Sequence, residues 1–171
     1  MAISPNTDTP IVRPILAADE PDLQQFIRDL SAQSRYLRFM RAIRELPEET
    51  LSKFSRPKPG REAVMVARSA SAGVVGLAQY VADEEGDGCE VAIVVGDAWQ
   101  RQGVGTALLT ALVAVARSNA IEHIHADVFA DNHAMRALAR KLGCEVRANS
   151  ETAFLVTISK SVSALRRGCR S

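Results

Sequence analysis

Two stretches of the sequence carry residue types that could do chemistry side by side. The first is Val95-Gly96-Asp97-Ala98-Trp99-Gln100-Arg101-Gln102-Gly103-Val104-Gly105-Thr106. Branched apolar residues give way to a short polar segment, and two glycines then open an apolar, helix-forming run. Positions without side chains let backbone amides approach a phosphate closely. The first turn of a helix adds unpaired N–H groups and partial positive charge, and Arg101 can add a formal charge. The second stretch holds Glu90, a carboxylate inside the apolar run 89–95. An acid in apolar surroundings is a candidate for moving a proton, although a solvent-facing strand-end Glu beside the acidic turn 83–88 would fit the same letters.

Three phosphate loops compete for the first stretch. A dinucleotide fingerprint needs a third small residue at position 108, which is Leu108, and a suitable second strand, which does not follow. A Walker loop needs Gly-Lys-Ser/Thr, which is absent. The pyrophosphate loop of acyl-CoA enzymes, Gln/Arg-x-x-Gly-x-Gly/Ala, is matched throughout by Gln100-Arg101-Gln102-Gly103-Val104-Gly105. The plain alternative is a strand-to-helix turn that binds nothing.

Other groups weigh less. Asp127 is a second choice as base, and more readily the anchor of a buried polar network. His123 and His125 alternate on one strand face without a third ligand, so no metal site is expected. Arg35, Arg38, Arg41 and Arg44 recur every three residues. On one helix they would form a slowly drifting basic stripe, either a solvated face or a wall that meets an acidic partner.

The scaffold for these residues is a single domain of ordinary composition. The 171 residues are 47% apolar and 24% charged, with a formal charge of +1, enough for one real core. That balance speaks against a nucleic-acid binder, and the Arg-rich end 160–171 is short and lacks interleaved aromatics. No apolar run of about 18 residues exists, so no membrane span is expected. The opening MAISPNTDTP has no basic segment and no apolar core of a secretory signal. Cys89, Cys144 and Cys169 lack CxxC spacing and are too few for a disulfide framework, which points to the cytosol.

Residues 12–15 read as an edge strand, since Pro14 cannot donate to a central ladder. Asp19 is placed to cap a helix with Pro21 in its first turn, and Leu23, Phe26, Ile27 and Leu30 follow helical spacing. A second helix is predicted over about 34–46, stopped by Pro47, which opens a short third. A loop at 55–61 precedes strands at 63–68 and 74–82 around a turn at 69–73, then an acidic turn at 83–88 and a buried strand at 90–95. Further on come a helix at 103–118, a strand at 122–130, a helix at 132–142, and strands at 144–148 and 152–159. Residues 1–10 read as a loose leader, 11–160 as the domain and 161–171 as a tail. The order predicts an α/β or α+β chain with a mixed sheet.

Taken together, Gln100–Gly105 and the segment Asn132-His133-Ala134-Met135-Arg136-Ala137-Leu138-Ala139-Arg140-Lys141-Leu142-Gly143-Cys144 resemble the two cofactor segments of the GCN5-related N-acetyltransferase (GNAT) family. The resemblance covers roughly residues 10–160. Ser31-Ala32-Gln33-Ser34-Arg35-Tyr36-Leu37-Arg38-Phe39, Cys89–Val95 running into Trp99-Gln100, and Asp131-Asn132-His133-Ala134-Met135 narrow it to the acetyltransferase domain of bacterial protein-lysine acetyltransferases. It implies a splayed, mostly antiparallel sheet flanked by helices, with acetyl-CoA as cosubstrate, no metal, and an amine acceptor that is a protein lysine or a small amine. A homodimer is left open. A small-molecule N-acetyltransferase and a noncatalytic acyl-CoA-binding module are the rival readings.

The resemblance also implies residue roles. Gln100, Arg101, Gln102, Gly103, Val104, Gly105 and Thr106 would hold the pyrophosphate. Asn132, by its own chemistry a helix N-cap, would also contact the cofactor. Ile93-Val94-Val95 would supply oxyanion donors and pair with the pantetheine arm. A lysine amine titrates near ~10.4, so only about one molecule in a thousand is the free nucleophile at neutral pH, and a base is needed. Glu90 matches the acidic residue that serves as base in the resembled enzymes. The Tyr that protonates the leaving thiolate in many members is Ala139 here; Tyr36 and Tyr80 are the substitutes to consider.

Overall fold

A computed structural model describes residues 8–163; the start of the expected leader (1–7) and most of the expected tail (164–171) lie outside the described residues. Among the described residues, β1 (Ile11–Pro14), β2 (Glu62–Ser69), β3 (Gly73–Ala82), β4 (Gly88–Val95), β5 (His123–Phe129), β6 (Glu145–Ala148) and β7 (Leu155–Ser161) form one sheet in the order β1-β2-β3-β4-β5-β7-β6. Every pairing is antiparallel except β4 with β5. The expected mixed, splayed and mostly antiparallel sheet is present.

Both faces of the sheet are covered, which is why β2, β3 and β4 read as nearly continuous apolar runs. On one face α4 (Val104–Ser118) buries Leu108, Leu109 and Leu112 against Met65, Ala78, Tyr80 and Val91. On the other, α1 (Glu20–Asp29) and α3 (Glu48–Ser55) pack Leu23, Phe26, Ile27 and Phe54 against Val64, Val66, Leu77 and Val94. α5 (His133–Lys141) covers β5 and β7 through Ala139, Ala126, Val128 and Ile158. Gly76 sits under α4, where a Cβ would stand 2.8 Å from Leu108 Cδ1. A side chain there would hold the helix off the sheet.

Three sequence expectations need correcting. The second helix, α2, spans only Ala32–Phe39 and closes on Met40 in the left-handed region. The chain turns there because Leu46 is drawn into the core, where the Gln24 side chain donates to Leu46 O (2.8 Å) and accepts from Leu46 N–H (2.9 Å). Asp19 precedes α1 but does not cap it. Its buried carboxylate accepts from Arg13 (2.7 and 2.8 Å), Arg68 (2.9 Å) and the Leu16 N–H (2.8 Å). The ordered fold also runs past residue 160. β7 continues to Ser161, and Val162 is buried, with its N–H donating to Glu122 O and its carbonyl accepting from Arg117.

Candidate active site

The site is organised by the way β4 and β5 part. The parallel pairing holds over Gly88↔His123, Cys89↔Ile124 and Glu90↔His125, and β4 then continues alone on that side. On its other side, Gly96 N–H donates to Val75 O (2.8 Å) and Asp83 N–H donates to Gly88 O (2.9 Å). Antiparallel ladder bonds recur every two residues. The even-numbered residues of β4 therefore bond β3, and Val91, Ile93 and Val95 turn their peptide groups to the edge that β5 has left. Of the three residues expected to offer donors, Ile93 and Val95 lie on that open edge. Val94 turns its peptide group to β3 and its side chain into the core.

The loop after β4 is braced from within. Gln100 Nε2 donates to Val95 O (3.1 Å) and Gln102 Nε2 to Ala98 O (2.8 Å). Arg101 adopts φ 60° and makes no ion pair among the described residues. Gly103 precedes α4 at φ 84°, with nothing within 4 Å of the point a Cβ would occupy. Ala107 N–H makes the helix bond to Gly103 O (3.0 Å), so Val104, Gly105 and Thr106 hold N–H groups of the first turn that helix geometry leaves unpaired. The open space at Gly103, these N–H groups and the Arg101 charge fit a pyrophosphate. Gly105 has a different task. A Cβ there would lie 3.2 Å from Leu138 Cδ2, so this glycine lets α5 close on α4. Asn132 caps α5, its Oδ1 accepting from Met135 N–H (3.1 Å).

Glu90 lies at the neck where the strands part, exposed, on the face covered by α1 and α2. Strand alternation puts Gln79, Ala92, His125, Asp127 and Phe129 on the same face. The surroundings of Glu90 on this face are mixed: Val81, its direct cross-strand partner, Ala92 and Phe129 are apolar, whereas Gln79, His125 and Asp127 are polar. From α2, Arg38 Nη2 donates to Gln79 Oε1 (3.0 Å), and the guanidinium lies over Phe39 (4.9 Å) and Phe54 (5.8 Å). Burial pushes Arg38 down to about 10, with the Glu90 charge acting in the opposite direction. Tyr36 stacks on Phe129 at 5.2 Å and 7°, so α2 reaches across to β5.

The remaining expected residues fall as follows. Asp127 accepts from Thr157 Oγ1 (2.6 Å) and Asn149 Nδ2 (3.1 Å), a network as expected but an exposed one. His125 Nε2 meets both Asp83 oxygens (3.0 and 3.1 Å). No group of three potential metal ligands gathers among the described residues. Tyr80 is fully buried on the α4 face, bonded to Asn119 Nδ2 (2.7 Å), and cannot replace the missing acid. Ala139 is buried on the inner face of α5, against Ala126, Val128 and Ile158. The four-arginine stripe does not form. Arg35 donates to the carbonyls of Ile43 (2.8 Å), Arg28 (3.0 Å) and Leu30, Arg38 turns inward, and only Arg41 and Arg44, in the turn after α2, are exposed.

Two contacts escaped the sequence reading. Asp97, just inside the phosphate loop, accepts from Ser31 N–H (2.9 Å), Ser31 Oγ (2.7 Å) and Ser34 Oγ (2.8 Å), which pins α2 to the loop. Nothing in the spacing of residues 31 and 97 signals it. Gly88 gives way to Asp83: a Cβ at 88 would stand 2.4 Å from Asp83 Oδ2. That glycine, at the edge of an acidic turn, was the available clue to the Asp83–His125 pair.

A loop fit for a pyrophosphate, an open strand edge beside it and a carboxylate at the neck are the parts that an acyl-CoA-dependent transferase needs. The acetyltransferase (GNAT) family model matches residues 25–144, and the chain belongs to that family. It is 31% identical to an acetyltransferase of Pseudomonas aeruginosa over 78% of this chain and 73% of that one. It is 28% identical to the acetyltransferase Pat of Mycolicibacterium smegmatis over 77% of this chain, a match that spans only 40% of that longer protein. The GNAT domain of S. lividans PAT superposes with a TM-score of 0.82 at 24% identity, covering 93% of this chain and 99% of that one. Structures of the same fold hold acetyl-CoA. The protein is thus an acetyl-CoA-dependent acetyltransferase.

Proposed function

We propose that the acceptor is the ε-amine of a protein lysine and that Glu90 takes its proton. The observation that carries this reading is the position of Glu90, the last β4 residue paired with β5, exposed, next to the peptide groups of Ile93 and Val95 on the open edge. An exposed base, with an exposed Tyr36 stacked on Phe129 farther along the same face, suits an amine on a long side chain, presented from a folded surface. Acetyl-CoA supplies the activated acyl group. Residues 100–106 hold its pyrophosphate, Asn132 adds a contact from α5, and the edge at Ile93 and Val95 takes the extended arm as an added strand. The N–H groups on that edge meet the developing oxyanion. With Ala139 where a phenol would stand, the leaving thiolate takes its proton from water. The free Cys89 and Cys144 suit a cytosolic setting, although no described helix is long and apolar enough to cross a membrane in any case.

The test compares thiol release from acetyl-CoA with lysine peptides, folded proteins and small amines. Glu90→Gln should keep acetyl-CoA binding and lower kcat by roughly 10²–10⁴, with the defect shrinking at high pH as the amine deprotonates itself. Unchanged turnover at pH 7 would move the base to Asp127 or to water. Small amines turned over faster than any lysine would overturn the acceptor assignment.

A further inference from the structure

Arg38 is built into the acceptor side in a way that packing alone does not account for. Its Nη2 is spent on Gln79, two aromatic rings enclose the guanidinium, and its Nε is buried without a hydrogen-bond partner among the described residues. A buried cation with an unmet donor is costly unless its charge serves a purpose. Gln79 pairs with Ala92, and Val81 with Glu90, which makes Gln79 the diagonal neighbour of Glu90 on one face.

We infer that Arg38 is a positioning residue whose fixed charge sets ionisation at the acceptor site. Its charge disfavours the protonated form of the incoming amine, so that the free amine is available to Glu90 at neutral pH. The inference rests on the reading of Glu90 as base. The other groups on this face are Tyr36 from α2, Glu62 from β2, which pairs with Val81 beside Glu90, the neutral Gln79 from β3, and His125, paired with Asp83, together with Asp127 from β5; α3 contributes Phe54. Arg38 is the one cation among them that does not depend on pH in the working range, and it opposes Glu90, Asp83 and Asp127. Removing it leaves the face more negative, and the ammonium of the acceptor then holds its proton to higher pH.

Two measurements test this. Without any acceptor, the ¹⁵N–¹H signal of Arg38 Nε, shielded from water, is followed from pH 8 down to roughly 3, across the usual carboxyl range. It should shift in the wild type and stay flat over the Glu90 step in Glu90→Gln. With acetyl-CoA and Nα-acetyl-lysine amide as probe, the pH profile of kcat/KM is compared across variants. Arg38→Met should move the rising limb up by about one pH unit, a roughly tenfold loss at pH 7 that recovers in base. Arg38→Lys should restore the wild-type midpoint. Gln79→Glu, which cancels the charge without removing Arg38, should move the midpoint in the same direction as Arg38→Met and stands in if that variant does not fold. A pH-independent loss in these variants, or an Nε signal equally mobile in Glu90→Gln, would make Arg38 merely structural and overturn the inference. Wild-type turnover in Glu90→Gln would instead remove the base assignment on which it rests.

Discussion

The two sides of β4 are assembled differently. On the side proposed for the cofactor, a contiguous segment from Val95 to Thr106 shapes its own surface: a glycine at φ 84°, two glutamines bonded back to nearby carbonyls and the first turn of α4. On the acceptor side, Arg38, Gln79, Glu90, His125 and Phe129 come from α2, β3, β4 and β5, and meet only because the sheet and α2 bring them together. A local site survives rearrangement elsewhere, whereas a composite one depends on every element that carries it. The two sides touch at Asp97, where the phosphate loop holds the N-terminus of α2.

The strongest way to separate the sides is to close the local one. Gly103→Asp puts a negative side chain into the open space before α4, in a residue type that tolerates the left-handed region. It should abolish acetyl-CoA stabilisation, which for the wild type at a hundred times Kd is about 2.7 kcal/mol and shows as a rise in Tm. The apo Tm should change little. Equal acetyl-CoA shifts in mutant and wild type would remove residues 100–106 from the cofactor site.

A change in the scaffold, away from both sides, comes next and is read in stability. Asp19 is buried and joins β1, β2 and the approach to α1. Losing its carboxylate leaves Arg13 and Arg68 without their shared partner, and Asp19→Ala should cost roughly 3 kcal/mol in denaturant unfolding. Hydrogen bonds from Arg13, above all, hold the Asp19 carboxyl below its ordinary value; the Leu16 N–H and the Arg68 charge add to this, and burial opposes it. A depressed group contributes stability that is present above the unfolded value, near ~4, and is lost as pH falls through the folded one. Wild-type stability should therefore decline below about pH 4, and the decline should be shallower in Asp19→Ala. Parallel acid curves would show that the carboxylate carries no such stability.

Asp97→Ala probes the seam. It should cost about 1 kcal/mol, as for the loss of a helix-terminal acceptor, and raise the KM for the acceptor while leaving acetyl-CoA affinity near wild type. Equal losses for both substrates would mean that α2 and the phosphate loop are not separable. The smallest effect belongs to the surface. Arg41→Glu with Arg44→Glu should slow acetylation of an acidic folded protein a few-fold at low salt, with no change on a lysine peptide, since rim charges act on encounter and are screened beyond about 8 Å at physiological ionic strength. Salt-independent rates on the protein acceptor would return both arginines to solvent.

Much of the cofactor side was legible in the letters because its determinants are neighbours in the chain. The glycine spacing at 103 and 105, Asn132 before a helix and the branched run 90–95 each signal their own local geometry. Even so, the letters did not separate the two glycines: Gly103 faces open space, and Gly105 faces Leu138, a residue of a helix formed later in the chain. The acceptor side was less legible. The three-residue spacing of Arg35, Arg38, Arg41 and Arg44 predicts one helical stripe, yet burial of Leu46 and its bracket by Gln24 end α2 at Phe39 and turn the four arginines to different ends.

By itself, then, the sequence determined the order of elements, the glycine turn that opens α4 and the presence of an acid on the strand that leads into it, because period, capping and turn chemistry act over a few residues. The tertiary structure alone decided that β5 leaves β4 after Glu90, that Ile93 and Val95 keep an open edge while Val94 does not, and that Arg38 lies against Gln79 on the face that carries Glu90. Those outcomes follow from sheet register and from which side chains win a place in the core, and both are set by competition among residues far apart in the chain.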